Sequence, residues 1–194
     1  DDEALRVRET LKPLMTGFAF ASCVPFGRER SGVLFRAAAY EAAPAGTIAR
    51  IEALLGLDGA EVLHYADPRR GQRRSMRLRR DGDGTRLDAF LLAGDTRAEA
   101  WIRTLLQEQL PAQAYGRYLL LPGATPPVPV RPRGRQVCSC FDVAQNDIEA
   151  ELGRCSGPAD ARLRQLQSTL KCGTNCGSCL PEVQRLVRLH RHAA

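Results

Sequence analysis

No apolar run in this chain approaches the roughly 20 residues that a helix needs to cross a bilayer, so the sequence offers no membrane segment. Aromatic residues are scarce, 6% of 194, which leaves no platform on which the bases of a single strand could stack. Lysine is nearly missing too. The basic residues are almost all arginine and acidic residues are interleaved with them, so the net charge of +6 reads as solvated faces rather than a nucleic-acid groove. The chain has no P-loop, no GxGxxG, no HExxH and no GxSxG, which removes the common signatures of nucleotide, zinc-protease and serine-hydrolase chemistry. The opening residues DDEALRVRETLK are acidic and polar, unlike a secretory leader. Together these absences lead us to expect a cytoplasmic protein with neither nucleic acid nor membrane as partner. Because the chain begins at Asp1 rather than Met, it reads as a piece of something longer.

What is present is uneven. Hydrophobic content of 44% and charged content of 26% are ordinary for a globular chain, and the length suits one or two small domains. Seven cysteines is an odd number, which argues against a simple disulfide framework. Cys23 stands alone, while Cys138, Cys140, Cys155, Cys172, Cys176 and Cys179 crowd into the last 57 residues. The seam between the two compositions is LPGATPPVPVRPRGRQ, residues 121–136, where five of sixteen residues are proline. Proline lacks the N–H that a helix interior or inner strand requires, so this stretch reads as an extended Pro/Arg-rich linker. The expected domains are therefore 1–120, 121–136 as linker, and 137–194.

Before the seam the pattern is α+β: short strands, an antiparallel meander and two or three helices. FAFASCVPF (18–26) and GVLFRAAAY (32–40) read as strands. Ile48, Ile51, Leu54 and Leu55 recur at helical spacing, with Gly56 placed to end that helix. EVLHYA, QRRSMRLRR and TRLDAFLLAG follow, joined by the turn sequences DPRRG and DGDG. In the middle strand Met76 and Leu78 alternate with Arg77 and Arg79, the period of a half-buried strand. Thr96 and Glu99 form a capping box opening a helix that carries Ala98, Trp101, Ile102, Leu105 and Gln109 on one face. His64 and Cys23 read as structural. The segment holds no catalytic constellation, so the chain alone is expected to lack a catalytic site.

After the seam, the frame is C-x-C, 35 intervening residues, then C-x2-C, with Cys172 four positions ahead of Cys176. Soft thiolates in two close pairs suit iron or zinc. The glycines of CGTNCGSC let the backbone wrap closely around sulfur. A helix is expected from Phe141 to Leu152 and another from Leu180-Pro181, with proline at its favoured first position, and Leu163, Leu166 and Leu170 share a helical face between them. Both cysteine pairs would then lie at helix N-termini, each offering roughly half a positive charge to an anionic cluster. Arg131, Arg133, Arg135 and Lys171 would add to that field, either facing an acidic electron donor or balancing the cluster. A structural zinc site fits the same thiols. A thioredoxin-like dithiol at Cys176–Cys179 lacks βαβ surroundings, and the radical-SAM spacing of Cys172, Cys176 and Cys179 lacks a downstream barrel.

VCSCF followed by CGTNCGSC-x-P resembles the bacterioferritin-associated-ferredoxin type of [2Fe–2S] domain, over about residues 137–190. The resemblance implies a small all-α helix–turn–helix unit whose cluster ligands are Cys138, Cys140, Cys176 and Cys179. The interval between the pairs is a few residues longer than in that family, Cys172 is an additional thiol beside the site, and Cys155 reads as a bystander. Further back, FAFASCVPFGRERSGVLFRAA, YADPRRGQRR and LDAFLLAGDTRAEAWI, in that order before the tail, resemble the C-terminal region of prokaryotic assimilatory nitrate reductase catalytic subunits. Residues 61–110 also resemble the small α+β domain that closes some flavin-dependent nitrite reductases. The resemblance implies an oxidoreductase parent. Its upstream domains would hold molybdenum on two molybdopterin guanine dinucleotides and a [4Fe–4S] cluster. An electron-donor protein (a flavoprotein reductase, ferredoxin or flavodoxin) would deliver single electrons through the [2Fe–2S] centre for reduction of nitrate to nitrite. The alternative is a separate binding or regulatory module stabilised by zinc or a cluster.

Overall fold

A computed structural model describes residues 2–27, 31–82, 84–123, 125–129 and 133–190. It is a mixed α and β structure with small antiparallel sheets. Its contacts divide into two compact units, one from residues 9–22 and 36–130, the other from residues 1–8, 23–35 and 131–194. Helix α1 (Asp2–Leu11) runs into a 3-10 turn, Lys12–Gly17, and strands β1 (Phe20–Phe26) and β2 (Gly32–Ala38) then pair with each other.

The larger unit is built on the meander. Strands β3 (Val62–Asp67), β4 (Gln72–Asp81) and β5 (Gly84–Ala93) form a three-stranded antiparallel sheet in sequence order, with register Asp67↔Gln72 at one turn and Asp81↔Gly84 at the other. The first turn is held by Asp67, whose carboxylate accepts the N–H groups of Arg69 and Arg70 at 3.1 and 3.2 Å. That is the local bond that makes Asp a turn residue.

The sequence predicts a half-buried β4, whereas Arg74, Ser75 and Met76 are all buried. The reason is that both faces of the strand are covered. Met76 and Leu78 pack into one core with Leu87, Trp101, Ile102 and Leu105, the last four from β5 and helix α3 (Glu99–Gln107). The opposite face meets helix α2 (Ala45–Leu54), whose buried Glu52 accepts from Arg73 Nε at 2.8 Å and from Ser75 Oγ at 2.5 Å. His64 Nδ1 lies 3.0 Å from the same hydroxyl. Arg77, beside the bulge in β4, donates to the carbonyls of Leu55 and Gly56 and so closes the end of α2. Gly56 has φ +63°, and a Cβ there would collide with that guanidinium, so the glycine both ends the helix and admits its cap.

The expected capping box at α3 is not formed. The helix begins at Glu99 behind Ala98, with no side-chain cap. Instead Asp95 accepts the backbone N–H of Arg97 at 3.1 Å and grips its guanidinium at 3.0 Å, fixing the entry one residue earlier than Thr96 could. Gln109 lies past the helix with φ +50° and donates back to Leu106.

In the second unit the chain from Gln136 onward contains β6 (Gln136–Cys138), β7 (Val143–Ala144), and helices α4 (Gln145–Leu152), α5 (Ala159–Leu170) and α6 (Leu180–Leu189). It is thus not wholly α-helical: a short antiparallel ribbon, β6 with β7, precedes three helices. Ile148 and Leu152 from α4, Leu166 and Leu170 from α5, and Val183, Leu186 and Val187 from α6 close one apolar cluster. Among the described residues, no helix is long and apolar enough to cross a membrane.

Candidate functional site

The first cysteine pair is presented by a turn. Cys138 ends β6 opposite Val143, and the chain then reverses through Ser139–Asp142 into β7. Asp142 makes the reversal possible by taking a left-handed conformation, φ +48°. This reversal is why the expected helix from Phe141 starts only at Gln145. It also means that Cys140 sits in the turn, five residues ahead of a helix rather than at its N-terminus.

The second pair lies between α5 and α6. Lys171 terminates α5 in the left-handed region, φ 57°, with its N–H donating to Gln167. Cys172 follows, fully buried, and then Gly173 with φ +82°. A Cβ on Gly173 would stand 3.1 Å from the Leu180 side chain, so the glycine permits the loop to lie close against α6. Gly177, with φ +74°, repeats the left-handed step between Cys176 and Cys179. Cys179 is the residue that opens α6, and its carbonyl receives the Val183 N–H at 3.0 Å. Of the four carried-over ligand positions, Cys179 therefore stands at a helix N-terminus, and Pro181 occupies the first turn as the sequence indicates.

The two segments meet sulfur to sulfur. Cys140 Sγ lies 3.4 Å from Cys176 Sγ, a few tenths of an ångström inside the roughly 3.8 Å taken by two sulfurs each about 2.3 Å from one tetrahedral ion. The Cys179 thiol meets that of Cys138, with Cys172 beside them. Cys138, Cys140, Cys172 and Cys179 belong to one buried cluster, while Cys176 is exposed. Cys155, buried at the far end of α4, interacts with Glu151 and Arg162 instead.

Burial and mutual repulsion dominate the electrostatics. Burial pushes the Cys140 thiol up, and the neighbouring Cys176 sulfur adds to it. Cys179 is pushed up to about 12, first by burial and then by the adjacent Cys138 and Cys172 sulfurs. Cys176 moves the other way, because the Ser178 hydroxyl, 3.1 Å from its sulfur, and the Ser178 backbone stabilise the thiolate. Soft donors from two loops that meet in pairs, Cys140 with Cys176 and Cys138 with Cys179, are of the kind that a cationic centre would hold as thiolates in an iron–sulfur cluster. No group of three or more His, Cys, Asp or Glu among the described residues is gathered about one point as a single-ion site; the thiols approach one another as pairs.

Arg133 and Arg135 are not the loose charges that a linker reading suggests. The Arg133 side chain is 11% exposed and forks between Asp142 Oδ2 and Asp147 Oδ2, each at 2.6 Å. Arg135 pairs with Glu182, which also holds Arg185, and the two guanidiniums, Arg185 foremost, hold the Glu182 carboxyl down at about 2. Arg133 is thus held within the turn by its two carboxylate partners. Arg131 lies outside the described residues. The signal that could have revealed this was the spacing of acidic residues, Asp142 and Asp147, around the turn; it points to a partner only once the chain is folded.

Residues 136–188 match the model of the BFD-like [2Fe-2S] binding domain, so the resemblance read from VCSCF and CGTNCGSC holds over that segment. The chain is also similar to the nitrate reductase of Klebsiella oxytoca, 46% identical over 78 residues that make up 40% of this chain and 8% of that protein. It is 36% identical over 56 residues to the nitrite reductase (NADH) large subunit of Escherichia coli K12, covering 29% of this chain and 6% of the relative. A third relative, the nitrite reductase [NAD(P)H] of Emericella nidulans, is 27% identical over 131 residues, 65% of this chain and 11% of that protein. The chain therefore spans only about a tenth, or less, of the length of these relatives. No solved structure matches it.

Proposed function

We propose that Cys138, Cys140, Cys176 and Cys179 hold a [2Fe–2S] cluster and that this chain is an electron-transfer segment of a nitrogen-oxide reductase, working on nitrate. The observation that carries this reading is the meeting of the two cysteine loops, Cys140 with Cys176 at 3.4 Å and Cys138 with Cys179, inside a segment that matches a [2Fe-2S] binding domain. When bound, such a cluster supplies one-electron transfer at a potential set by its surroundings.

The chain's own residues would do the rest. The β6–β7 turn and the Gly173 and Gly177 loop hold the sulfurs in place, the Cys179 end of α6 directs a helix N-terminus at them, and the packing of α4–α6 keeps water from three of the four. Cys176, exposed and beside Ser178, marks the side on which an electron-donor protein could come closest. In this reading the donor is a flavoprotein reductase, ferredoxin or flavodoxin. The molybdenum site on its two molybdopterin guanine dinucleotides, and the [4Fe–4S] cluster, belong to upstream domains of the parent protein.

The test is spectroscopic. Protein purified or reconstituted without oxygen is expected to be brown, to carry iron and sulfide in equal amounts at one cluster per chain, and to bleach reversibly on reduction. A colourless protein that binds zinc stoichiometrically and takes up no cluster would overturn the proposal.

A further inference from the structure

Arg133 lies five residues before the first cysteine of the pair, yet it is woven into the turn that presents both. Its carbonyl accepts the Asn146 N–H at 3.2 Å, and the carbonyl of Arg135 accepts the Gln145 N–H at 2.8 Å, so residues 133–135 are laid along the start of α4. Between them Gly134, with φ +75°, passes over the Asn146 side chain so closely that a Cβ would stand 2.7 Å from its oxygen. The Arg133 guanidinium then reaches across the turn: Nη1 donates to Asp142 Oδ2 at 2.6 Å, and Nη2 donates to Asp147 Oδ2 at 2.6 Å and to the Asp142 carbonyl.

Both carboxylates in this network are fixed a second time. Gln136 Nε2 donates to the other Asp142 oxygen at 2.8 Å, and Asp147 Oδ2 also accepts the Ala144 N–H at 2.9 Å, reaching back to the residue before α4. Asp142 is 1% exposed and left-handed, a conformation that aspartate adopts more readily than most residues with a Cβ and that its hydrogen bonds to Arg133 and Gln136 hold here. Asp142 stands two residues from Cys140, and its backbone direction sets where Cys140 points relative to Cys138. A buried carboxylate without its cation would be strongly unfavourable at that point, and the Arg133 guanidinium touches the Asp142 carboxylate, the Asp142 carbonyl and Asp147 of α4 together.

We infer that Arg133 is a positioning residue for the Cys138–Cys140 ligand turn, holding Asp142 in its left-handed conformation through a three-way fork onto Asp142 and Asp147. The inference rests on the proposed [2Fe–2S] site. A planar guanidinium can fork to several acceptors at fixed angles and a lysine ammonium cannot, so charge and geometry can be separated by substitution.

The experiment compares Arg133→Lys and Arg133→Gln with the unsubstituted chain, each loaded with cluster without oxygen and then challenged with a ferrous-iron chelator. Loss of a residue that orients a metal ligand commonly weakens metal holding about 10–100-fold. Arg133→Gln is expected to release iron faster by a factor in that range, and Arg133→Lys by an intermediate factor. The visible circular dichroism of the oxidised cluster and the anisotropy of the reduced electron-paramagnetic-resonance signal should shift in both, because the ligand turn itself is reoriented. The helix signal of the apo-protein in the far ultraviolet should stay near that of the unsubstituted chain in Arg133→Lys, which distinguishes positioning from a general loss of fold. Release kinetics and cluster spectra of Arg133→Lys indistinguishable from the unsubstituted chain would overturn the inference, whatever happens to Arg133→Gln. Failure of the unsubstituted chain to take up any cluster would instead sink the site reading on which the inference stands.

Discussion

The β3–β5 sheet and the cysteine segment both pair buried charges, but they differ in what fills their cores. In the sheet region, Glu52 pairs with Arg73 at 2.5 Å, Arg77 with Asp88 at 2.9 Å and Asp95 with Arg97 at 3.0 Å, while buried Arg74 donates to the carbonyls of Leu119 and Gly123 at 3.5 Å. The core beside them, Met76, Leu87, Ile102 and Leu105, is wholly apolar and fully buried. In the cysteine segment, four of the twelve buried core residues are cysteines, set among aliphatic side chains of α4–α6. A thiol is a small hydrophobe with a weak hydrogen bond, and a segment of this size has little other core on which to rely. On the proposed cluster reading, the sheet is stabilised by its own side chains, whereas the cysteine segment would draw part of its stability from the group that joins its sulfurs, since binding that favours the folded state adds directly to folding.

The strongest way to break that comparison is to remove one sulfur. Cys140→Ser and Cys179→Ser should lose most of the iron and sulfide, and amide-exchange protection should collapse in α4–α6 while β3–β5 keeps its own. Cys172→Ser and Cys155→Ser should retain cluster near the unsubstituted ratio of iron to sulfide, since Cys172 flanks the proposed ligand set and Cys155 packs against Glu151 and Arg162. Retention of cluster by Cys176→Ser with its loss in Cys172→Ser would move the fourth ligand to Cys172. Equal loss of protection in the sheet would show that the two regions depend on the sulfurs alike.

The converse substitution tests the other side. Leu87 is fully buried in the core under α3, and Leu87→Ala should cost about 2–5 kcal/mol of sheet stability through the cavity it leaves. The single tryptophan, Trp101, is buried in that core and stacked on Tyr115 with ring centroids 5.4 Å apart, so its fluorescence reports unfolding of this region by denaturant. The visible spectrum and iron content of the cluster are expected to be unchanged in native buffer. A cluster spectrum that shifts with Leu87→Ala would sharpen the comparison into one of coupled regions.

How much of this was legible before folding follows the range of the interactions involved. The meander was readable because its information is local: Asp67 caps its own turn, and alternation in β4 is visible within five residues. The cysteine loops were readable because thiol spacing and glycine placement are local as well. Glu52 carries no local signal of its burial, which depends on Arg73 and Ser75, 21 and 23 positions away. Arg133 looked like linker charge for the same reason: its value lies in Asp142 and Asp147, and in a left-handed step at Asp142 that nothing in the string FDVAQND advertises. The second burial of β4 was hidden because α2 covers a face whose arginines read as solvent-facing.

The smallest expected effect concerns Asp95 and is a matter of pH. Its carboxyl is held at about 2, below its ordinary 3.8, chiefly by the Arg97 guanidinium hydrogen bond and secondarily by the Arg97 N–H. A carboxyl lowered in the folded state stabilises that state when ionised. Its contribution is therefore complete above about pH 5, where the unfolded chain is also ionised, and is lost progressively as the pH falls to 2 and below. Arg97 is 71% exposed, so solvent screens the pair and its contribution is about 1 kcal/mol or less. Asp95→Asn keeps an oxygen for the Arg97 N–H and removes the charge together with one of the two acceptors of the Arg97 guanidinium. Followed by Trp101 fluorescence, the variant should unfold at a lower denaturant concentration than the unsubstituted chain at pH 7, and the gap should narrow steadily between about pH 5 and pH 2. A gap that stays constant through that window would mean that Asp95 stabilises the entry to α3 by shape and hydrogen bonding alone, and that the sheet region's closure of its charges contributes nothing measurable at this position.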